Sequence, residues 1–292
     1  MKKDRLDGFG AISLLGITLL LAVNQVIVVE VNKGLQPVFF AGLRSILAVF
    51  FILAWLRWSQ KPLLLRRQDI LPGLVAGTLF AAEFMCLFLA LEKTSLGRTS
   101  VIFYSMPVWL AVLAHFFLPG DRLTATRVLG LAIAFAGTAF AILSRHSETS
   151  GSLTGDLLAL GASIGWAATA FAARKTCLRE VGPEAQLFWM ALVSGPILLA
   201  CSGLFGPLVR DLTAYHILGL FFQSTVVMAG GFIFWLWLLS VYPTATVASF
   251  SFLTPVFAIL FGVLLYGEAV TVTLAVSLLL VAVGIALINR RG

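Results

Sequence analysis

Charge is what this sequence has least of. Only 11% of its 292 residues are Asp, Glu, Lys or Arg, whereas 60% are hydrophobic. A soluble domain carries roughly 25% charged residues, so this chain has too little polar surface to face water. The few charges leave a net +7, but no contiguous basic patch interleaved with aromatics is present, so a nucleic-acid partner is not expected. Cysteine is scarce too: Cys86, Cys177 and Cys201 show neither metal-ligand spacing nor an evident disulfide pairing and read as apolar filler. No Gly-x-x-x-x-Gly-Lys-Ser/Thr, His-Glu-x-x-His or Gly-x-Ser-x-Gly occurs. P-loop hydrolysis, zinc-dependent proteolysis and serine-hydrolase chemistry therefore lack their parts. No regularly spaced arginine ladder suggests a voltage sensor. No catalytic residue, cofactor or metal is expected, and the chain does not read as an enzyme.

Long apolar runs are what the sequence has instead. Ten of them are long enough to cross about 30 Å of hydrocarbon, at about 9–29, 37–57, 70–91, 98–118, 125–144, 153–173, 184–204, 214–239, 245–266 and 270–289. Lys2, Lys3 and Arg5 precede the first run in the manner of a signal peptide. That run is too long for a cleaved leader and reads as a retained span. The expected fold is all-α: one membrane domain over 1–292, with the lipid bilayer as its surroundings. Fourteen of the Lys and Arg residues fall in segments on the amino-terminal side of the membrane and five in the opposite segments. This asymmetry places both termini in the cytoplasm.

A stretch near Pro107 occurs twice. Ser100–Leu113 places hydroxyl and aromatic residues before Pro107-Val108 and a purely apolar run after it; Ala248–Phe261 does the same around Pro255-Val256. The two prolines lie about half the chain apart. Proline inside an apolar helix removes a backbone donor and bends the rod. In a bilayer the freed carbonyls need protein or a water-filled cavity to receive them. Gly120-Asp121 and Thr124 correspond to Gly267-Glu268 and Thr271, Gly137 to Gly284, and Pro37 to Pro183. The halves divide near Ser144–Ser152, giving repeats over 1–146 and 150–292. Five spans per half is an odd number, so the repeats are expected to lie inverted in the membrane, an architecture of secondary transporters. Pro107 and Pro255 are then expected hinges of gating helices. A duplicated, static bundle is the alternative.

These motifs resemble those of the drug/metabolite transporter superfamily, in its EamA-type branch. The resemblance rests on the five-plus-five duplication, on Pro37, Ala41 and Arg44 opening span two, and on the Pro-Val of spans four and nine. The Gly-Asp or Gly-Glu start of spans five and ten also matches. It covers almost the whole chain and implies a small-molecule permease of the bacterial inner membrane, usually an exporter of amino acids or related metabolites. Size and span pattern look most like the aromatic amino acid exporters. Two departures from the family pattern stand out: Ala22-Val23-Asn24-Gln25 in span one, and Met190 where the first half has Arg44.

Arg44 and Glu83 lie about 10 and 12 Å from the outer ends of spans two and three at ~1.5 Å per residue. Matching depths make them candidate partners, as a structural ion pair or as a substrate or proton site. Asn24, Gln25, Tyr104 and Ser105 fall at a similar depth and could bind a zwitterion's poles or simply join helices. The second half offers Trp166, Thr169, Ser249, Ser251 and Thr254, with Phe250, Phe252, Trp235 and Trp237 as an aromatic wall. Trp55, Trp58 and Tyr242 read as an interfacial belt. Gly73, Gly77, Gly161 and Gly165 permit close helix packing, and Gly130, Gly137 and Gly284 suit either an internal seam or a dimer face.

The expected function is alternating-access export or facilitated passage of small amphipathic metabolites, foremost amino acids, with Glu83 the candidate for proton coupling. The assembly is a monomer or homodimer. A nucleotide-sugar carrier would need more cavity cations than Arg44. A lipid flippase or an intramembrane enzyme belongs to another class, and the enzyme would need a nucleophile and base at one depth.

Overall fold

The computed structural model describes residues 7–60, 63, 66–117, 124–144, 151–242 and 250–289. Twelve α-helices occupy the described residues: α1 Gly8–Gly34, α2 Pro37–Trp58, α3 Ile70–Lys93, α4 Leu96–Phe103, α5 Met106–Phe117, α6 Ala125–Leu143, α7 Leu153–Lys175, α8 Pro183–Ser202, α9 Ala214–Phe222, α10 Phe232–Val241, α11 Leu253–Tyr266 and α12 Val272–Asn289. Among the described residues, eight stretches are long and apolar enough to cross a membrane, counting Leu96–Phe117 and Ala214–Trp235 as single crossings, and two shorter apolar helices follow them.

Short polar caps decide where the helices begin. Asp7 accepts from the Gly10 amide at 2.8 Å, Ser152 from Gly155 at 3.0 Å, and Ser95 from Arg98 at 3.2 Å. Each satisfies a donor the first turn would otherwise leave bare. Pro37 and Pro183 occupy first positions, where a missing N–H costs nothing.

Cross-links between connections sort the bundle into two ends. At one end Leu35 bridges to Val209, Arg210 reaches Glu92 at 2.6 Å, and the Ser152 amide donates to the Lys93 carbonyl at 3.1 Å. At the other, Arg66 clamps Asp69 and Glu180, each at 3.0 Å, and the Tyr242 hydroxyl donates to Asp7 at 2.7 Å. Tyr242 is 1% exposed, so its expected place in an interfacial belt is corrected: it ties the first helix to the end of α10. Trp58, 81% exposed, does face outward.

Between the ends, α2 packs on α8, α3 on α7 and α8, and α6 on α12. Glycine sets the close approaches. A Cβ at Gly165 would fall 3.0 Å from the Glu83 Cα, and one at Gly42 would fall 2.8 Å from the Leu199 side chain. Gly73 and Gly77 press on Trp189 and Val193. Gly130, Gly137 and Gly284 lie inside the α6–α12 seam, where a Cβ on Gly284 would meet the Ala134 nitrogen at 2.5 Å. Within this chain they form an internal seam.

Candidate functional site

Both proline stretches break their helices. The fourth crossing stops at Phe103, turns through Tyr104 and Ser105, and resumes at Met106. A turn at Phe252 separates Phe250 and Ser251 from α11. In each case the proline sits just after the break, inside the first turn of the resumed helix, where it lacks no needed bond. The Ser105 hydroxyl donates to the Ile102 carbonyl at 2.6 Å and lies 3.0 Å from the Ser163 hydroxyl on α7. A third irregularity is absent from the sequence expectations: between α9 and α10 the backbone is π-helical over Gln223–Gly231. Such widened turns are frequent at functional sites.

Around these breaks the interior is polar. The Gln223 amide nitrogen donates to the Asn24 carbonyl oxygen at 2.8 Å, and the Ser100 hydroxyl donates to Gln25 Oε1. Tyr104, 5% exposed, turns its hydroxyl toward Thr254. Thr169 stands beside Glu83, although its hydroxyl proton goes to the Gly165 carbonyl at 2.9 Å. Arg44 and Glu83, each 1% exposed, are neighbours. No salt bridge within 4.0 Å joins them among the described residues. The guanidinium lies instead over the Phe84 ring, 3.9 Å from its centroid, and the Phe88 ring at 4.9 Å. The expected Arg44–Glu83 pair is thus two neighbouring ionisable side chains without a direct bond.

Several buried polar atoms here have no hydrogen-bond partner: Asn24 Oδ1, Arg44 Nε and Nη2, Glu83 Oε2, Gln223 Oε1 and Thr254 Oγ1. An unsatisfied buried group costs about 1–3 kcal/mol, more when charged, so these side chains are held at a cost in stability. Single atoms elsewhere, such as Thr99 Oγ1 and Ser277 Oγ, are also unpartnered. Those are neutral.

Not every expected residue joins this cluster. Trp166 packs against the main core. Phe250 and Trp235 pack with Leu14, Ile17, Leu238 and Tyr242. Trp237, 42% exposed, stacks on Phe234 with centroids 5.7 Å apart and faces outward, so it is no part of an inner wall. Ser251 is half-buried beside the second break, and Ser249 lies outside the described residues.

Three features escaped the sequence reading. Gln223 is an amide within an apolar span, a signal that was visible. Arg98, counted with an outer connection, is buried: its Nη2 meets Asp156 Oδ2 at 2.5 Å and also donates to the Ala141 carbonyl. Glu268, part of the repeated Gly-Glu motif, accepts from the Leu96 and Gly97 amides at 2.6 and 3.1 Å. It thereby caps α4, while Gly267 takes the left-handed backbone (φ 64°) that lets α11 end.

A model of the EamA-like transporter family matches the chain twice, over residues 8–143 and 153–290. The chain belongs to this family. It is a multi-pass membrane protein of a transporter family, and transporters are not enzymes. The transporter is 29% identical over 266 residues to YvbV, an uncharacterized transporter of Bacillus subtilis (strain 168), covering 87% of this chain and 83% of that one. It is 26% identical over 273 residues to a probable amino-acid metabolite efflux pump of Escherichia coli (strain K12), covering 90% and 88% respectively. A protein solved by crystallography shares its fold with a TM-score of 0.65 at 19% identity, over 94% of this chain and 96% of that one.

Proposed function

We propose that this transporter exports small amphipathic metabolites, amino acids including aromatic ones foremost, by alternating access between two inverted five-helix repeats. One observation carries the reading: Asn24, Arg44, Glu83, Gln223 and Thr254 hold buried polar atoms without a partner, and two of them, Gln223 and Thr254, lie at the π-helical stretch and just after the second break. Discontinuous helices beside a polar interior suit a solute site near the midplane. Two family matches, one per half, support the duplication. An odd number of crossings per half supports the inversion. The efflux pump among the relatives supports the metabolite class. Basic residues concentrated toward the terminal end of the bundle support cytoplasmic termini in a bacterial inner membrane.

In this cycle the breaks at Tyr104–Ser105 and Phe252 are the flexing points, with Pro107 and Pro255 keeping them from healing into straight helix. Glu83 carries or releases a proton as its surroundings open. The test is uptake into proteoliposomes holding the purified transporter, across a panel of labelled amino acids, sugars, nucleotides and lipids, with and without an imposed pH gradient. Flux of aromatic and related amino acids is expected. The gradient's effect should vanish in Glu83→Gln. Flux confined to sugars, nucleotides or lipids would overturn the substrate class, and a gradient response kept by Glu83→Gln would remove Glu83 from the coupling.

A further inference from the structure

Arg44 is the largest fully buried side chain of the described residues, and its two kinds of surface are used differently. The flat face is occupied by the Phe84 and Phe88 rings at 3.9 and 4.9 Å. The edge is not: Nε and Nη2, the two nitrogens of the side-on fork, have no partner. Rings against the face restrict rotation of the plane, so the fork is held ready rather than swinging. A planar fork of two parallel N–H groups matches the two oxygens of a carboxylate. Glu83, the one nearby carboxylate, does not fill it, since no bond joins the two. The Glu83 backbone packs closely against Gly165 on α7, whereas Phe84 and Phe88 of the same helix meet the guanidinium.

We infer that the side-on fork of Arg44 is the carboxylate-binding element of the transported solute. This deepens the proposed function and rests on it, by requiring that the solute carry a carboxylate. Among the described residues Arg44 contributes the only unpartnered buried cationic atoms, and the Glu83 side chain lies close by. A single cation suits the one carboxylate of a monocarboxylate or zwitterion. It does not suit a phosphate dianion, which needs several cations. With Arg44 1% exposed, the solute reaches the fork only as the surrounding helices part. Met190, at the matching position of the second half, has no fork, so the repeats contribute unequally and the carboxylate has one landing place.

The test is equilibrium binding to the purified, nanodisc-embedded transporter of three probes that share a phenyl tail. These are phenylalanine, 3-phenylpropionate (ammonium removed) and 2-phenylethylamine (carboxylate removed). Wild type is expected to bind 3-phenylpropionate about tenfold or more tighter than 2-phenylethylamine, one lost bidentate pair corresponding to at least that factor. Arg44→Lys keeps the charge but loses the fork. It should weaken both carboxylate probes about tenfold and leave the amine unchanged. Equal binding of amine and carboxylate by wild type, or equal weakening of all three by Arg44→Lys, would overturn the assignment while leaving the exporter reading intact. Absence of binding by all three, with flux of none of them, would remove both. Should Arg44→Lys not fold, the wild-type ratio alone decides.

Discussion

Two arginines are buried among the described residues, and they are treated in opposite ways. Arg98 is bonded to Asp156 at 3.2 Å through Nε and 2.5 Å through Nη2, and Nη2 also reaches the Ala141 carbonyl. Thr94 adds a hydroxyl to the same carboxylate at 2.9 Å. Arg44 lies against two rings with its fork empty. A charge withdrawn from water is tolerable when paired and hydrogen-bonded and costly otherwise. Arg98 therefore reads as a clamp joining α4, α6 and α7. Arg44 is held at a cost in stability, as expected where a group waits for a ligand rather than for the fold.

This contrast can be broken most severely at the clamp. Asp156→Ala strands a buried guanidinium and should cost about 3–5 kcal/mol, read as a large fall in the melting temperature of the purified protein whether or not an amino acid is present. The glycine seam between α6 and α12 gives an uncharged standard for comparison. Gly284→Val forces side-chain atoms into the Ala134 backbone and should cost about 1–3 kcal/mol by overpacking, measured the same way. Arg44→Met sharpens the comparison with the smallest change in stability and the largest in function. Removing a poorly compensated buried charge should leave the melting temperature equal to wild type or higher, while amino-acid flux is lost. A fall as deep as that of Asp156→Ala would make Arg44 another clamp.

Depth was legible in the sequence and direction was not. A rise of ~1.5 Å per residue put Arg44 and Glu83 at matching levels, and both are buried in the same neighbourhood. Their mutual orientation depends on rotation about each helix axis. On α3 it is Phe84 and Phe88, one turn apart, that face Arg44, with Glu83 about 100° around the helix. Prolines and caps were readable because they act locally: the breaks before Pro107 and Pro255 fall where the repeated stretch placed them. The π-helical turns at Gln223–Gly231 carry no proline and pack against α1 and α2, and no local signal in the sequence marks them. Arg98 was misplaced because a cation near a span's end usually reaches for the interface. Asp156, in the first turn of α7, pulls it inward instead.

Cysteine accessibility in oriented vesicles bears most directly on whether the polar interior is the solute path. In a chain whose three native cysteines are replaced by alanine, Asn24→Cys places a thiol among the unpartnered atoms. Thr138→Cys places one in the glycine seam, where Thr138 is 4% exposed and bonded to the Ala134 carbonyl at 3.0 Å. A membrane-impermeant thiol reagent should label Asn24→Cys in right-side-out and in inverted vesicles, more slowly when phenylalanine is present, and should label Thr138→Cys in neither. Labelling of Asn24→Cys from one side only, or from neither, would contradict a path that opens alternately to both.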